Sequence, residues 1–271
     1  MKYDILALDL DGTALNPKSK VDPSTAEAVK RARQAGMRVV LSTGRICGEA
    51  AEFARHMGAD EYMVTSGGAT IAMVSQERCL MRLSMPWEAS VRAAAALERV
   101  GLSTMVYVAD RLLVTPYDEQ IFNSYKTNEG YLESKKVVPS VAEWIARGHI
   151  MVDKIFSRSR DPITIQRTRK LLEEIPDIRV MSSASDNVEV VSPAADKATA
   201  LSMLCRLYGT SLDRCAAVGD SENDLEMLSA VAMPIAMGNA SEDVKALCKH
   251  VTDDNAHDGV AKAIDWLLAQ E

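Results

Sequence analysis

Short, mostly apolar segments alternate with helical segments at both ends of the chain, and this alternation constrains the fold more than any other feature. Near the N-terminus, residues 4–9, 37–43 and 61–68 have the composition of strands separated by helices. Toward the C-terminus, residues 215–219 and 231–237 resume the alternation. Apolar strands separated by helices are typical of a parallel sheet that helices cover on both faces. The sequence therefore predicts an α/β fold with a doubly wound parallel sheet.

The middle of the chain has a different pattern, in which several strands follow one another between helices. Its predicted elements are a helix at 87–99, a hairpin around Asp110-Arg111, strands at 149–157, 177–183 and 187–192, and helices near 117–128 and 161–174. This mixed order is typical of an α+β unit. We predict a core domain of residues 1–84 and 188–271, interrupted by an inserted α+β cap domain of residues 85–187.

The composition of the 271 residues limits the class of protein. With 47% hydrophobic and 25% charged residues, the chain has the profile of a soluble globular protein. A net charge of −7 without a basic run argues against nucleic acid or an anionic membrane as a partner. Five scattered cysteines without a CxxC pair, together with no signal peptide or long apolar stretch, indicate a cytoplasmic protein.

Two carboxylates end the first apolar segment, which reads "ILALDLDGT". If the strand alternation continues, Asp9 and Asp11 point toward the same side. Two carboxylates at close range repel each other unless a cation or a proton compensates them. The alternative is an Asp-Gly turn at the end of a strand, which requires no chemistry. This segment alone leaves both interpretations open.

More polar residues follow the other predicted strands, and ligands of an open parallel sheet bind at the carboxyl ends of its strands. The residues at these ends are Asp9, Asp11, Thr13, Ser42, Thr43, Gly44, Arg45, Lys197, Asp220, Ser221, Asn223 and Asp224. Mg²⁺ prefers carboxylate oxygens, so Asp9, Asp220 and either Asp11 or a neighbouring backbone carbonyl are its predicted ligands. Lys197, the hydroxyl of Thr43 and exposed backbone amides, including that of Gly44, would then bind phosphate oxygens.

The same residues form motifs of a known family. The motifs are "DLDGT" at 9–13, "LSTGR" at 41–45, a lysine that begins a helix at 197, "GDSENDLEML" at 219–228 and "AMGNA" at 236–240. With them the chain resembles the phosphatases of the haloacid dehalogenase (HAD) superfamily, above all the Cof-type sugar-phosphate phosphatases with a large inserted C2-type cap. The resemblance implies a Rossmann-like core and Mg²⁺-dependent hydrolysis of small phosphomonoesters, sugar phosphates foremost, through an aspartyl-phosphate.

The resemblance also implies catalytic roles for the two carboxylates of the first motif. Asp9 would be the nucleophile that takes the phosphoryl group. Asp11 would protonate the leaving alcohol and then activate the water that hydrolyses the intermediate. Leu10 would contribute only its backbone groups to phosphate binding.

The other motifs would hold the phosphoryl group and the metal. Thr43 and Lys197 would bind the phosphoryl group with help from Asn223, and Asp220 would ligate Mg²⁺. Secondary candidates are Ser42, Arg45, Ser221 and Asp224. Arg45 would contact either the substrate or a carboxylate of the cap. An acid such as Asp224 is also favoured in the first turn of a helix for electrostatic reasons alone.

Two positions depart from the family pattern, since Ala198 replaces a usual glycine and Ile46 a usual proline. Neither change removes a reacting group, so a phosphatase remains the leading hypothesis. The alternatives are a phosphomutase or phosphotransferase of the same superfamily and a non-catalytic regulator that binds sugar phosphates. The inserted cap would close over the substrate and contact its non-phosphate end, with Tyr107, Tyr117, Tyr125 and Asp153 as candidate residues.

Overall fold

A computed structural model describes residues 2–123, 128–182 and 184–270 of the chain. Its helices are α1 (Pro23–Gln34), α2 (Cys47–Met57), α3 (Trp87–Val100), α4 (Pro116–Phe122), α5 (Glu129–Ser134), α6 (Val141–Gly148), α7 (Pro162–Glu173), α8 (Lys197–Leu207), α9 (Leu225–Ala230), α10 (Glu242–Leu247) and α11 (Gly259–Leu268). Its strands are β1 (Ile5–Leu8), β2 (Arg38–Leu41), β3 (Tyr62–Thr65), β4 (Thr70–Met73), β5 (Arg78–Arg82), β6 (Ser103–Val108), β7 (Arg111–Val114), β8 (Lys135–Val137), β9 (Lys154–Arg158), β10 (Arg179–Met181), β11 (Asn187–Val191), β12 (Cys215–Gly219), β13 (Met233–Ala236) and β14 (His250–Val251).

The first sheet contains five parallel strands in the order β14-β13-β12-β1-β2. Strand β3 lies beside β2, where the amide of Thr43 donates to the carbonyl of Val64 at 2.9 Å. From there β3, β4 and β5 form an antiparallel ribbon. The predicted doubly wound α/β fold is confirmed.

Alternating side chains of β1 show how both faces of this sheet are covered. Leu6 and Leu8 belong to the hydrophobic cluster formed with α1, α2 and α11. Ile5 and Ala7 belong to the opposite cluster, formed with α8, α9 and α10. All four side chains are fully buried. Burial of each large apolar side chain stabilises the fold by about 1.5–3 kcal/mol, so β1 is fixed at the centre of the sheet.

The second sheet has six strands in the order β10-β11-β9-β6-β7-β8 and includes the predicted hairpin of β6 and β7. Helices α3, α6 and α7 cover one face. On the other face, Met105 and Tyr107 join the hydrophobic cluster of the first sheet. The second sheet is thus held over the first, and we refer to it and its helices as the cap.

Two predicted boundaries within the cap differ from the structure. The predicted division between residues 187 and 188 falls inside β11, which pairs with β9 along its whole length and with β10 from Glu189 to Val191. The cap sheet therefore extends to Val191. The strand predicted from residue 149 begins only at Lys154, because His149 ends α6 in the left-handed region with φ 48°.

Within the described ranges, no helix is both long enough and apolar enough to cross a membrane.

Candidate active site

The turn after β1 places the first motif at the carboxyl end of the parallel sheet. Asp9 is buried, and its amide donates to the carbonyl of Val218 on β12 at 3.1 Å. Leu10 is also buried, and its carbonyl accepts hydrogen bonds from the amides of Thr13 at 3.2 Å and Leu15 at 2.9 Å. These bonds close a tight turn and fix the position of the Asp9 carboxylate.

Gly12 lets this turn lie directly against the end of β12. Its φ of 82° is in the left-handed region, and a Cβ at this position would lie 2.3 Å from Oδ2 of Asp220. Only glycine combines this backbone conformation with so close an approach. The glycine of "DLDGT" is therefore explained by the position of Asp220.

Lys197 begins α8 and lies between two carboxylates. Its buried Nζ donates to Oδ1 of Asp9 and to Oδ1 of Asp224, each at 2.6 Å. Burial acts to lower the pKa of Lys197, but the negative charges of Asp224 and Asp9 outweigh it and raise this pKa above its ordinary value. Lys197 is therefore a fixed positive charge beneath the carboxylate of Asp9.

The loop after β12 brings two more carboxylates to the same place. Oδ1 of Asp220 accepts a hydrogen bond from the hydroxyl of Thr13 at 2.8 Å. Oδ2 of Asp224 accepts from the amides of Asp220 at 3.1 Å and Ser221 at 3.2 Å. Both oxygens of Asp224 are thus bound by groups of the chain, and its carboxylate orients both Lys197 and the loop.

Asp9, Asp220 and Asp224 present carboxylate oxygens that lie within 4.8 Å of one another. Burial raises the pKa of Asp220 to about 6 and raises that of Asp9 well above its usual range, although Lys197 acts to lower the latter. A bound cation would offset this cost of burying neighbouring negative charges. The oxygen donors and their charge therefore fit a hard divalent cation such as Mg²⁺.

The carboxylate of Asp11 is not part of this cluster. It is 58% exposed and accepts two hydrogen bonds from Arg45, from Nη2 at 2.7 Å and from Nε at 2.8 Å. Arg45 also pairs through Nη1 with Glu49 in the first turn of α2. The partners of Arg45 are therefore core carboxylates, and of its two predicted contacts, the substrate or a cap carboxylate, the second is not found among the residues that the structure describes. Glu49 was not among the predicted site residues, although its spacing of four residues from Arg45 was a sequence signal for this pair.

A cavity of about 590 Å³ lies between the carboxyl end of the first sheet and the cap. The predicted site residues that line it are Asp9, Asp11, Gly44, Arg45, Asp220, Ser221 and Asn223. The remaining predicted residues are buried around it, namely Leu10, Ser42, Thr43, Lys197 and Asp224. The structure thus brings the end motifs of the chain together at one cavity.

The hydroxyl groups near the cavity have different surroundings. Oγ1 of Thr43 accepts a hydrogen bond from the amide of Arg45 at 3.2 Å. Ser221 donates its hydroxyl to the side-chain oxygen of Asn223 at 2.6 Å. Oγ of Ser42 is buried and has no hydrogen-bond partner within the part of the chain that the structure describes.

Of the candidate cap residues, only Tyr107 lines the cavity among those the structure describes. Asp153 is buried away from it and binds Arg82, with Nε–Oδ distances of 2.9 and 3.1 Å. Tyr117 is 63% exposed and lies elsewhere on the cap. Tyr125 lies outside the described residues.

An ion pair of the cap, absent from the predicted site residues, also lines the cavity. Nζ of Lys154 lies 2.6 Å from Oε2 of Glu189, and both side chains are buried. Lys154 also lies 3.4 Å from the carbonyl oxygen of Gly44. The sequence signal was a charged residue inside each of two apolar strands, "KIFSR" and "NVEVV".

Residues 6–264 match a family described as haloacid dehalogenase-like hydrolases. The chain belongs to this family. The match extends over both parts of the parallel sheet and the cap between them, so it covers every element that contributes to the cavity.

Relatives match this chain over nearly its full length. YwtE of Bacillus subtilis, a 5-amino-6-(5-phospho-D-ribitylamino)uracil phosphatase, is 30% identical, over 97% of this chain and 98% of its own. YbhA of Escherichia coli, a pyridoxal phosphate phosphatase, is 28% identical with the same coverage.

Solved structures of haloacid dehalogenase-type hydrolases have folds similar to that of this chain. A haloacid dehalogenase-like hydrolase from B. subtilis has a TM-score of 0.86 and 26% identity, and the match covers 97% of this chain and 99% of that one. The HAD subclass IIB sugar phosphatase BT4131 has a TM-score of 0.80 at 23% identity, covering 97% and 98%, and shares the fold. The predicted family, fold class and identification as a hydrolase are thereby confirmed.

Proposed function

We propose that this hydrolase is a Mg²⁺-dependent phosphatase of small phosphorylated metabolites, with sugar phosphates as its leading substrate class. The observation that carries this proposal is the position of Asp9, which is buried, lines the cavity and contacts Lys197 at 2.6 Å. A carboxylate fixed in this way next to a permanent cation is suited to attack a phosphoryl group. The relatives YwtE and YbhA, which are phosphatases by name, support this assignment.

The first step transfers the phosphoryl group to Asp9. A carboxylate oxygen of Asp9 forms a bond to phosphorus while the bond to the ester oxygen breaks, which gives an aspartyl-phosphate and an alcohol. Lys197 lies beside Asp9 throughout and offsets the negative charge that two anions bring together. Asp224 keeps Lys197 in place through its own 2.6 Å contact.

Asp11 moves the protons in both steps. It lines the same cavity as Asp9 and is largely exposed, so its carboxyl group can reach the ester oxygen. In its protonated form it gives a proton to the leaving ester oxygen. The resulting carboxylate then takes a proton from the water that attacks the aspartyl-phosphate, which releases phosphate and regenerates Asp9. Arg45 holds both oxygens of Asp11, so it must release one of them before this transfer.

Asp9 and Asp220 are the proposed side-chain ligands of Mg²⁺, and Thr13 orients Asp220 through its 2.8 Å hydrogen bond. When bound, Mg²⁺ would neutralise part of the charge of the carboxylates and of the phosphate. Asp11 would take part only through its backbone, because its carboxylate pairs with Arg45.

The cap supplies the walls that contact the organic part of the substrate. Aromatic and thioether side chains from β6, β9, α4 and α5 line this side, namely Met105, Tyr107, Phe122, Tyr131 and Phe156. Such a surface packs against the face of a ring. This wall supports the proposed division into a catalytic core and a substrate-specificity cap.

The proposed setting is the cytoplasm, with a small metabolite as partner. All five cysteines are free, which supports a reducing compartment. The net charge of −7 supports a metabolite rather than nucleic acid.

The test measures phosphate release from sugar phosphates and p-nitrophenyl phosphate, with Mg²⁺ and with EDTA. We expect metal-dependent release by the wild type and its loss in Asp9→Asn. Asp243→Asn, which makes the same change on the exposed surface of α10, is the matched control. Release that survives in Asp9→Asn would exclude Asp9 as the nucleophile. Transfer to an added sugar in preference to water would instead establish a phosphotransferase.

A further inference from the structure

The ionisable residues of the cavity are mostly acidic. Six carboxylates and three cations line it, the cations being Arg45, Lys154 and Arg158. Three of the carboxylates, Asp9, Asp11 and Asp220, already serve the proposed reaction. The positive charge available to the organic part of a substrate therefore depends on these three cations and on the groups that bind them.

Each of these cations is already bound to a carboxylate. Arg45 binds Asp11 and Glu49, as described above. Lys154 binds Glu189 at 2.6 Å, and Arg158 contacts Asp186. Among the described residues that line the cavity, every cation is thus paired, and Arg45 still binds Glu49 when it releases an oxygen of Asp11.

The Lys154–Glu189 pair is the one that a substrate would least easily separate. The side chains are only 4% and 5% exposed, and the ammonium group also lies near the rings of Tyr107 and Phe156 at 5.4 and 5.9 Å. Separating a buried pair leaves a buried charge without compensation, which is strongly unfavourable. A substrate anion would have to displace Glu189 or lie beside it.

We propose that this cavity selects phosphate monoesters whose organic part carries no second negative charge. A neutral polar group can donate to Glu189 or accept from Lys154 without separating them, and a ring can pack on the aromatic wall. A second phosphate or a carboxylate finds no unpaired cation in the described part of the cavity and lies close to the carboxylates of Glu189 and Asp186, which repel it. This inference rests on the proposed phosphatase function and narrows its substrate class.

The test compares two esters of the same size, 4-(hydroxymethyl)phenyl phosphate and 4-carboxyphenyl phosphate, which differ by one negative charge. We expect kcat/KM of the wild type to be roughly tenfold or more lower for the carboxylated ester. Similar values for the two esters would overturn the charge selection while leaving the phosphatase function established. Absence of phosphate release from both esters and from the sugar phosphates of the first test would refute the phosphatase function, and the inference with it.

Variants of the two cap pairs locate the effect. Glu189→Gln frees Lys154 for a substrate carboxylate, so the ratio of the two kcat/KM values should narrow at least roughly threefold. Asp186→Asn removes the carboxylate that pairs with Arg158 and should narrow the same ratio. This pair is more exposed, so losing its carboxylate destabilises the fold less. Glu173→Gln removes an equal charge from the surface of α7 and should leave the ratio unchanged. An unchanged ratio in whichever cap variants fold would overturn the proposal.

Discussion

Gly68 lies against the backbone that leads into Lys197, and substitution of Gly68 by alanine tests whether this contact supports the lysine. A Cβ at Gly68 would lie 2.1 Å from the carbonyl carbon of Asp196, 2.2 Å from its oxygen and 2.6 Å from the amide nitrogen of Lys197. All three are backbone atoms, so no side-chain rotation relieves the overlap. Gly68→Ala must therefore move the first turn of α8, and Lys197 with it.

The magnitude follows from two contributions to the free energy of unfolding. The φ of Gly68 is 93°, and holding an L-residue in the left-handed region costs about 1–2 kcal/mol. Insertion of a methyl group into a packed position adds about 1–3 kcal/mol. Gly36 is a control position that separates the backbone strain from the steric overlap, because its φ is 95° and a Cβ added there would have no atom within 4 Å. Gly36→Ala should therefore show only the first contribution.

Urea denaturation of both variants, followed by circular dichroism, measures this difference. We expect Gly68→Ala to be about 1–3 kcal/mol less stable than Gly36→Ala. Phosphate release by Gly68→Ala should also fall, by as much as about 100-fold if Lys197 moves by about 1 Å. Equal stability of the two variants, together with undiminished phosphate release, would refute the proposed support of Lys197 by Gly68.

Two further predictions concern ion pairs of the core. Lys197→Met should lower the free energy of unfolding by about 3–5 kcal/mol, because buried carboxylates lose their cation. Adding Asp224→Asn to this variant should restore part of the stability. If urea denaturation shows that the losses of the two single variants simply add in the double variant, the coupling is contradicted. Hydrogen bonds from Arg214 and Thr210 lower the pKa of Asp4 to about 2. Since this folded-state pKa lies below the ordinary 3.8, the stabilisation is present above about pH 5 and is lost as the pH falls through about 2. The pair is exposed, so Asp4→Asn should cost less than about 1 kcal/mol at pH 7, and the difference in Tm from the wild type should shrink toward pH 3.

The parallel sheet could be predicted from the sequence because burial on both faces leaves a continuous apolar signal in strands such as β1 and β12. The end of the cap sheet could not be predicted in the same way. Strand β11 is as buried as β12, and burial alone does not indicate which sheet a strand joins. The boundary predicted at 187/188 therefore differs from the end of the cap sheet at Val191.

The different positions of Asp9 and Asp11 also have a physical reason. The expectation that their side chains share one side depended on continued strand alternation, but β1 ends at Leu8. Beyond it, the backbone turns through Gly12, and the rule of alternating side chains no longer applies. Asp9 thus remains buried beside Lys197, whereas Asp11 reaches outward to Arg45.

Asp224 shows why the sequence of a motif does not predict which of its acids makes the more important contacts. An acid in the first turn of a helix is favoured by the helix dipole, so sequence alone places Asp224 second to Asp220. In the structure, Gly219 lets the side chain of Asp224 fold back, since a Cβ there would lie 2.7 Å from its carboxylate. Asp224 can then bind both Lys197 and the amide of Asp220. One carboxylate thereby holds both the cation beside the proposed nucleophile and the loop that carries the proposed metal ligand.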